Sequence, residues 1–157
     1  YLDNSDLAIE INTDAYIPNY YISNNSERFL IYKKLYETRN NSDLQQIVNE
    51  ITDCYGKLPK ETKELIFSVK LRISAINTGI KKLSLKEDRL IIEFPFSENE
   101  HFYKIIFPEL NEFFVNYENL KILENNNKIT AIFTIQNRDE AVEFLWRIKR
   151  TVETIGE

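Results

Sequence analysis

The stretch TGIKKLSLKEDRLIIEF, residues 78–94, is where the chain changes period. Leu83 and Leu85 alternate with polar residues, Glu87 and Asp88 have turn chemistry, and Leu90, Ile92 and Phe94 alternate again, which predicts a β-hairpin. A second such pattern lies downstream. Leu120 and Ile122 supply one strand, Asn125, Asn126 and Asn127 the turn, and Ile129, Ala131, Phe133 and Ile135 the return strand. Upstream of Gly79 the apolar spacing is helical. The expected class is therefore α+β, with an N-terminal helical half (residues 1–79) followed by two β-hairpins alternating with helices (residues 80–157).

Working back toward the N-terminus, residues 59–79 repeat Leu65, Ile66, Val69, Ile73 and Ile76 at spacings of three and four, which predicts a helix from Pro59 as far as Gly79. Leu44, Ile47, Val48, Ile51 and Tyr55 predict a helix over 42–55, with Gly56 placed as a left-handed cap. A further helix is expected over 26–37. Asn24 and Glu27 have capping spacing at its start, and Phe29, Tyr32, Leu35 and Tyr36 form its expected apolar side. Residues 7–11 read as a short strand, and Pro18 keeps Ile17 extended. Toward the C-terminus, Pro108 interrupts an apolar helical pattern, so a helix is expected from Pro108 to Val115. Asn137 and Glu140 open a last helix with the stripe Ala141, Val142, Leu145, Ile148 and Val152.

Composition narrows the function classes. At 157 residues one compact domain is expected, and the absence of Met marks a trimmed chain or, as the favoured expectation, a segment of a longer protein. The apolar runs are far shorter than the roughly 18 residues of a membrane span, so a soluble chain is expected, with no membrane partner. Cys54 is the one cysteine, so no internal disulfide can form and a cytoplasmic setting is the simpler reading. The net charge of −5 disfavours a polyanion as partner unless bases segregate onto one face. Local clusters exist at Lys33–Lys34, at Lys81–Lys82 and at Arg147, Lys149 and Arg150. The last suits the negative end of its helix dipole.

The inventory also tests enzyme chemistry. Glycine stands only at positions 56, 79 and 156, so no phosphate-cradling loop can be written, and one Cys with one His cannot build a zinc site. A Cys54–His101 dyad is formally available, but Asp53 and the negative end of the helix both oppose a thiolate at Cys54. Catalytic, metal and cofactor residues are thus expected to be none.

Four segments carry a family resemblance. They are Asp14-Ala15-Tyr16-Ile17-Pro18 with Tyr21-Ile22, Arg28-Phe29, Tyr32-Lys33-Lys34-Leu35, and Glu50-Ile51-Thr52-Asp53-Cys54-Tyr55-Gly56-Lys57-Leu58-Pro59. In order and spacing these resemble the carboxy-terminal domain of the bacterial transcription-repair coupling factor, and Ala75 with Gly79-Ile80 extends the match over roughly residues 8–94. The resemblance implies a single carboxy-terminal regulatory domain of a larger protein. Its parent would be an ATP- and Mg-dependent DNA translocase that frees stalled RNA polymerase in transcription-coupled DNA repair. The domain itself would be a non-catalytic, autoinhibitory clamp that docks on the UvrB-like amino-terminal module of the same chain and masks the surface that UvrA uses.

Within the matched motif, the resemblance implies that Glu50 and Asp53 lie at this contact. Helical spacing puts them on one side with Gln46 and Asn49, opposite the apolar stripe. Near a helix C-terminus each negative charge opposes the dipole by about 0.3–1 kcal/mol, and an arginine partner would offset that through charge-assisted hydrogen bonds. One departure is Cys54, where the family carries arginine, so the cation expected beside these acids is missing from that position. The alternative reading is an accessory nucleic-acid-binding module using Lys81, Lys82 and the basic last helix beside Tyr103 or Trp146.

Overall fold

The computed structural model describes residues 7–155. The chain forms two compact units, one of Thr13–Ile73 and one made of the segments up to Asn12 and from Ser74 onward. The first contains α1 (Asn25–Glu37), α2 (Asn41–Tyr55) and most of α3 (Lys60–Ala75). Asn24 caps α1 as its spacing predicts, its side-chain oxygen accepting from Glu27 N–H at 3.0 Å. Asn40 does the same for α2, accepting from Asp43 N–H at 2.8 Å.

The C-terminus of α1 has no glycine and is closed from another helix. Arg72 of α3 donates to the carbonyls of Leu35 and Tyr36, both at 2.6 Å, and of Thr38 at 3.1 Å, and Leu35 O also accepts from Thr38 N–H at 3.3 Å. The expected apolar side of α1 is corrected here. Leu35 is buried, but Phe29 and Tyr36 are 68% and 73% exposed, and the covered side is rotated toward Arg28, Ile31 and Leu35. Gly56 is a second correction. Its φ of +89° comes with ψ of −162°, which is not the left-handed helical conformation, and its N–H still donates to Thr52 O at 2.9 Å.

The extended segment ahead of α1 is tied down by buried polar contacts. Tyr32 OH accepts from Ile17 N–H at 2.7 Å, and the fully buried Thr62 hydroxyl donates to Tyr16 O at 3.1 Å. α3 begins on Pro59, whose carbonyl accepts from Lys63 N–H. It stops at Ala75, short of the expected Gly79, because Asn77 and Gly79 both take positive φ, +65° and +89°, and break the helical path.

The other unit is built on one sheet. Among the described residues its strands are β1 (Ala8–Ile11), β2 (Lys82–Lys86), β3 (Arg89–Phe96), β4 (Leu120–Asn125) and β5 (Lys128–Thr134), in the order β1-β2-β3-β5-β4. β1 pairs parallel with β2 and every other pair is antiparallel. Both predicted hairpins are present. Glu87 turns the first with φ of +57°, and Asn126 and Asn127, at +51° and +62°, give the second the two successive positive φ values of a type I′ turn.

Between the hairpins lies α4 (Phe107–Phe114), preceded by a π-helical turn over Phe102–Ile106. Pro108 has no N–H to continue the ordinary ladder, and the wider turn places Phe107 N–H on Phe102 O. α5 (Arg138–Thr154) closes the unit, capped by Asn137, which accepts from Glu140 N–H at 3.0 Å. Leu90, Ile92 and Phe94 of β3 and Phe133 of β5 are buried with Phe102, Leu110, Phe114, Phe144 and Leu145. The rings of Phe133 and Phe144 stack at 4.1 Å with 16° between planes. A buried Phe→Ala change in such a core costs ~3–5 kcal/mol. Phe144 belongs to this core although the expected α5 stripe passed over it, and Val142, which that stripe included, is half-buried.

Candidate docking face

α2 turns Leu44 and Ile51 into the helical unit, with Ile47, Val48 and Tyr55 half-buried beside them. The opposite side therefore meets solvent. Gln46, Asn49, Glu50 and Asp53 are all exposed on it, so the two acids expected at a contact occupy one outward side of the helix. α2 has no basic residue in its last turn, so nothing on its own backbone offsets these charges against the dipole.

A cation reaches the face from α1. Lys34 Nζ lies 3.5 Å from Glu50 Oε2, with both side chains more than half exposed, an ion pair of the kind worth about 0–1 kcal/mol. Lys34 thus supplies, from a different helix, part of what Cys54 cannot. Sequence spacing hid this, because Lys34 and Glu50 are 16 residues apart and meet only once α1 and α2 pack. A shallow groove beside the pair is lined by Lys34, Thr38, Asp43, Gln46, Ile47 and Glu50.

One turn on, the α1–α2 junction is held by aromatic hydroxyls. Tyr55 OH donates to Glu27 Oε2 at 2.8 Å, and that bond to a carboxylate raises the Tyr55 pKa above the usual phenol value. Tyr21 OH donates to Gly56 O at 2.5 Å, and burial raises its pKa as well. Asp53 and Glu50 are thereby carried on a helix whose C-terminal end is fixed from two directions.

The residues of the other readings fall elsewhere. Cys54 is exposed on α2 and His101 is exposed in the helical turn before Phe102, in the other compact unit. Lys82 pairs with Glu10 at 3.3 Å, and the Lys82 ammonium holds the Glu10 carboxyl below its ordinary pKa. Arg147 is bound to Glu143 at 2.6 Å and to Tyr117 OH at 2.9 Å. Lys149 is buried over the Trp146 ring at 4.9 Å, and desolvation pulls its pKa down. Tyr103 is half-buried and donates to Pro95 O. α5 runs on to Thr154, so Arg147, Lys149 and Arg150 precede its last turn, where no base stands. Among the described residues no group of three His, Cys, Asp or Glu side chains could hold a metal ion, and no helix is long and apolar enough to cross a membrane.

Comparison with known proteins agrees with this architecture. The model of the TRCF domain family matches residues 11–105. The transcription-repair-coupling factor of Borreliella burgdorferi is 27% identical over 147 residues, covering 92% of this chain and 13% of that protein. The protein of the same name from Buchnera aphidicola is 34% identical over 88 residues, covering 56% of this chain and 11% of its own length. The chain thus spans 11–13% of the length of these two relatives. A solved structure described as the C-terminal domain of transcription-repair coupling factor superposes with a TM-score of 0.69 at 23% identity, covering 96% of this chain and 93% of that one, and shares the mixed α+β fold. With well over half of its residues inside the family match, the chain belongs to the TRCF domain family.

Proposed function

We propose that this chain is a non-catalytic, autoinhibitory interaction domain of a transcription-repair coupling factor. It docks on the UvrB-like amino-terminal module of its parent protein and covers the surface that UvrA binds. The parent supplies the ATP- and Mg-dependent translocase and, through the full-length protein, the contacts with RNA polymerase and DNA, in the cytoplasm. The observation that carries the reading is the outward pairing of Glu50 and Asp53 on one side of α2, at the helix end where negative charge is least favoured. Guanidinium groups on a partner would find two carboxylates already positioned, one of them held by a single exposed lysine that can be displaced.

Two bases of the nucleic-acid alternative are paired within the chain, Lys82 with Glu10 and Arg147 with Glu143, and Lys149 is buried over Trp146, which leaves less free positive charge for a polyanion. The test is a calorimetric titration of the chain against the purified UvrB-like module. Glu50→Ala with Asp53→Ala is expected to weaken docking about tenfold, equivalent to ~1.4 kcal/mol, and to restore UvrA binding in competition. Unchanged affinity in a variant with unchanged circular dichroism would reject the face.

A further inference from the structure

The outermost strand of the sheet presents an edge that nothing among the described residues covers. β4 lies at the end of the strand order and pairs with β5 alone, in a register that runs without a break from Leu120↔Phe133 to Asn125↔Lys128. The hydrogen bonds fix which of its groups look outward. Thr134 N–H donates to Asn119 O at 3.0 Å, so Asn119 and Thr134 form a bonded pair, and by antiparallel alternation Lys121, Leu123 and Asn125 also bond to β5. The N–H and C=O of Leu120, Ile122 and Glu124 therefore point away from the sheet. Sheet edges are ordinarily blunted by proline, a bulge, brevity or charged side chains, lysine above all. β4 has six residues, no proline and no break in register; its charges are one lysine, Lys121, and Glu124, and it carries Ile122 and Leu123 at 38% and 49% exposure.

We propose that this edge pairs with the same edge of a second copy of the chain, antiparallel and centred on Ile122, to make a continuous sheet across a two-fold axis. The choice of a second copy comes from the strand's self-complementarity. Centring on Ile122 sets Ile122 against its symmetry mate and Leu120 against Glu124, so all three outward-facing residues are bonded in each copy. On the other side of the sheet Leu123 meets the aliphatic stem of Lys121, and no like charges stand directly opposite. Centring on Leu123 instead would set Leu120 against Asn126, which lies in the turn, and would lose its bonds. A single strand pair buries under roughly 1,000 Å², so the dimer is a weak one that forms at high concentration.

Sedimentation of the chain from about 10 to 1,000 μM is expected to show the apparent mass rising from 18.7 kDa toward twice that value. Amide exchange is expected to slow with concentration at Leu120, Ile122 and Glu124, and not at Lys121 or Leu123, which β5 already protects. Ile122→Lys places two ammonium groups face to face and should abolish both effects with circular dichroism unchanged. Ile122→Pro, which removes only an outward N–H, serves if the lysine variant fails to fold. A monomer at every concentration, including one whose edge pairs only with a strand from another protein, overturns the proposal. So does a dimer that either folded variant leaves intact or whose protection maps elsewhere.

Discussion

Replacing Arg72 with Met should unfasten the C-terminus of α1 while keeping most of the side chain's apolar stem. Three carbonyls lose the guanidinium, those of Leu35, Tyr36 and Thr38, although Leu35 O keeps the Thr38 N–H at 3.3 Å, and the guanidinium is lost from the face of the Tyr36 ring, 5.6 Å from its centroid. Hydrogen bonds to a charged group are worth ~1.5–3 kcal/mol each, so the gross loss is roughly 5–9 kcal/mol. Two terms reduce it. Burial already disfavours the Arg72 charge, with Arg39 adding to this, and the carbonyl of the exposed Tyr36 can turn to water once the guanidinium is gone. A net destabilisation of about 2–3 kcal/mol remains, chiefly from the carbonyl of the buried Thr38. With a urea m-value of about 2 kcal/mol/M, the midpoint followed by circular dichroism at 222 nm should fall by roughly 1–1.5 M. Arg72→Lys should recover a minor part, since one ammonium cannot span three acceptors. A midpoint within about 0.2 M of the parent, at unchanged slope, would mean that the helix end is solvated as well without the arginine and would refute the reasoning.

Gly56→Ala should cost ~1–3 kcal/mol in a urea titration, because φ of +89° with ψ of −162° is a conformation open essentially to glycine. The added methyl meets nothing within 4 Å, so the penalty is backbone strain and not a clash. Asn127→Gly should stabilise by a few tenths of a kcal/mol, read as a rise in thermal midpoint, by creating the Asn-Gly pair that a type I′ turn prefers. Burial raises the Tyr103 pKa, so its folded form holds the proton to higher pH than the unfolded chain does. That contribution to stability is whole below the unfolded phenol value of about 10 and is lost as pH rises through the folded value. Urea midpoints from pH 8 to 11 should fall in the parent and fall less steeply in Tyr103→Phe.

The caps and hairpins were legible because their causes are local. Asn24, Asn137, Asn126 and Asn127 act within a few residues of themselves and do what their spacing says, while Asn125, expected in the turn, is the last paired residue of β4. The side of α1 was misread because aromatic rings dominate an apolar average. Phe29 and Tyr36 share the three-and-four spacing with Tyr32 and Leu35, yet burial follows the directions from which α2 and α3 approach, which the α1 sequence does not contain. The π-helical turn was half visible, since Pro108 announced a fault in the ladder without saying on which side it would be absorbed. For the candidate face, the outward placement of Glu50 and Asp53 followed from period alone. Lys34 did not, because its contact depends on how two helices meet.

The parallel pairing of β1 with β2 affects how the molecule is made. β1 leaves the ribosome ahead of the whole Thr13–Ile73 unit, and its partner follows only afterwards. At about 5–20 residues per second the strand waits several seconds with its backbone unpaired, while the helices behind it can form in microseconds to milliseconds. The order of assembly thus inverts the order of synthesis. This strand can join the sheet only after a complete helical unit has been threaded out between it and its neighbour.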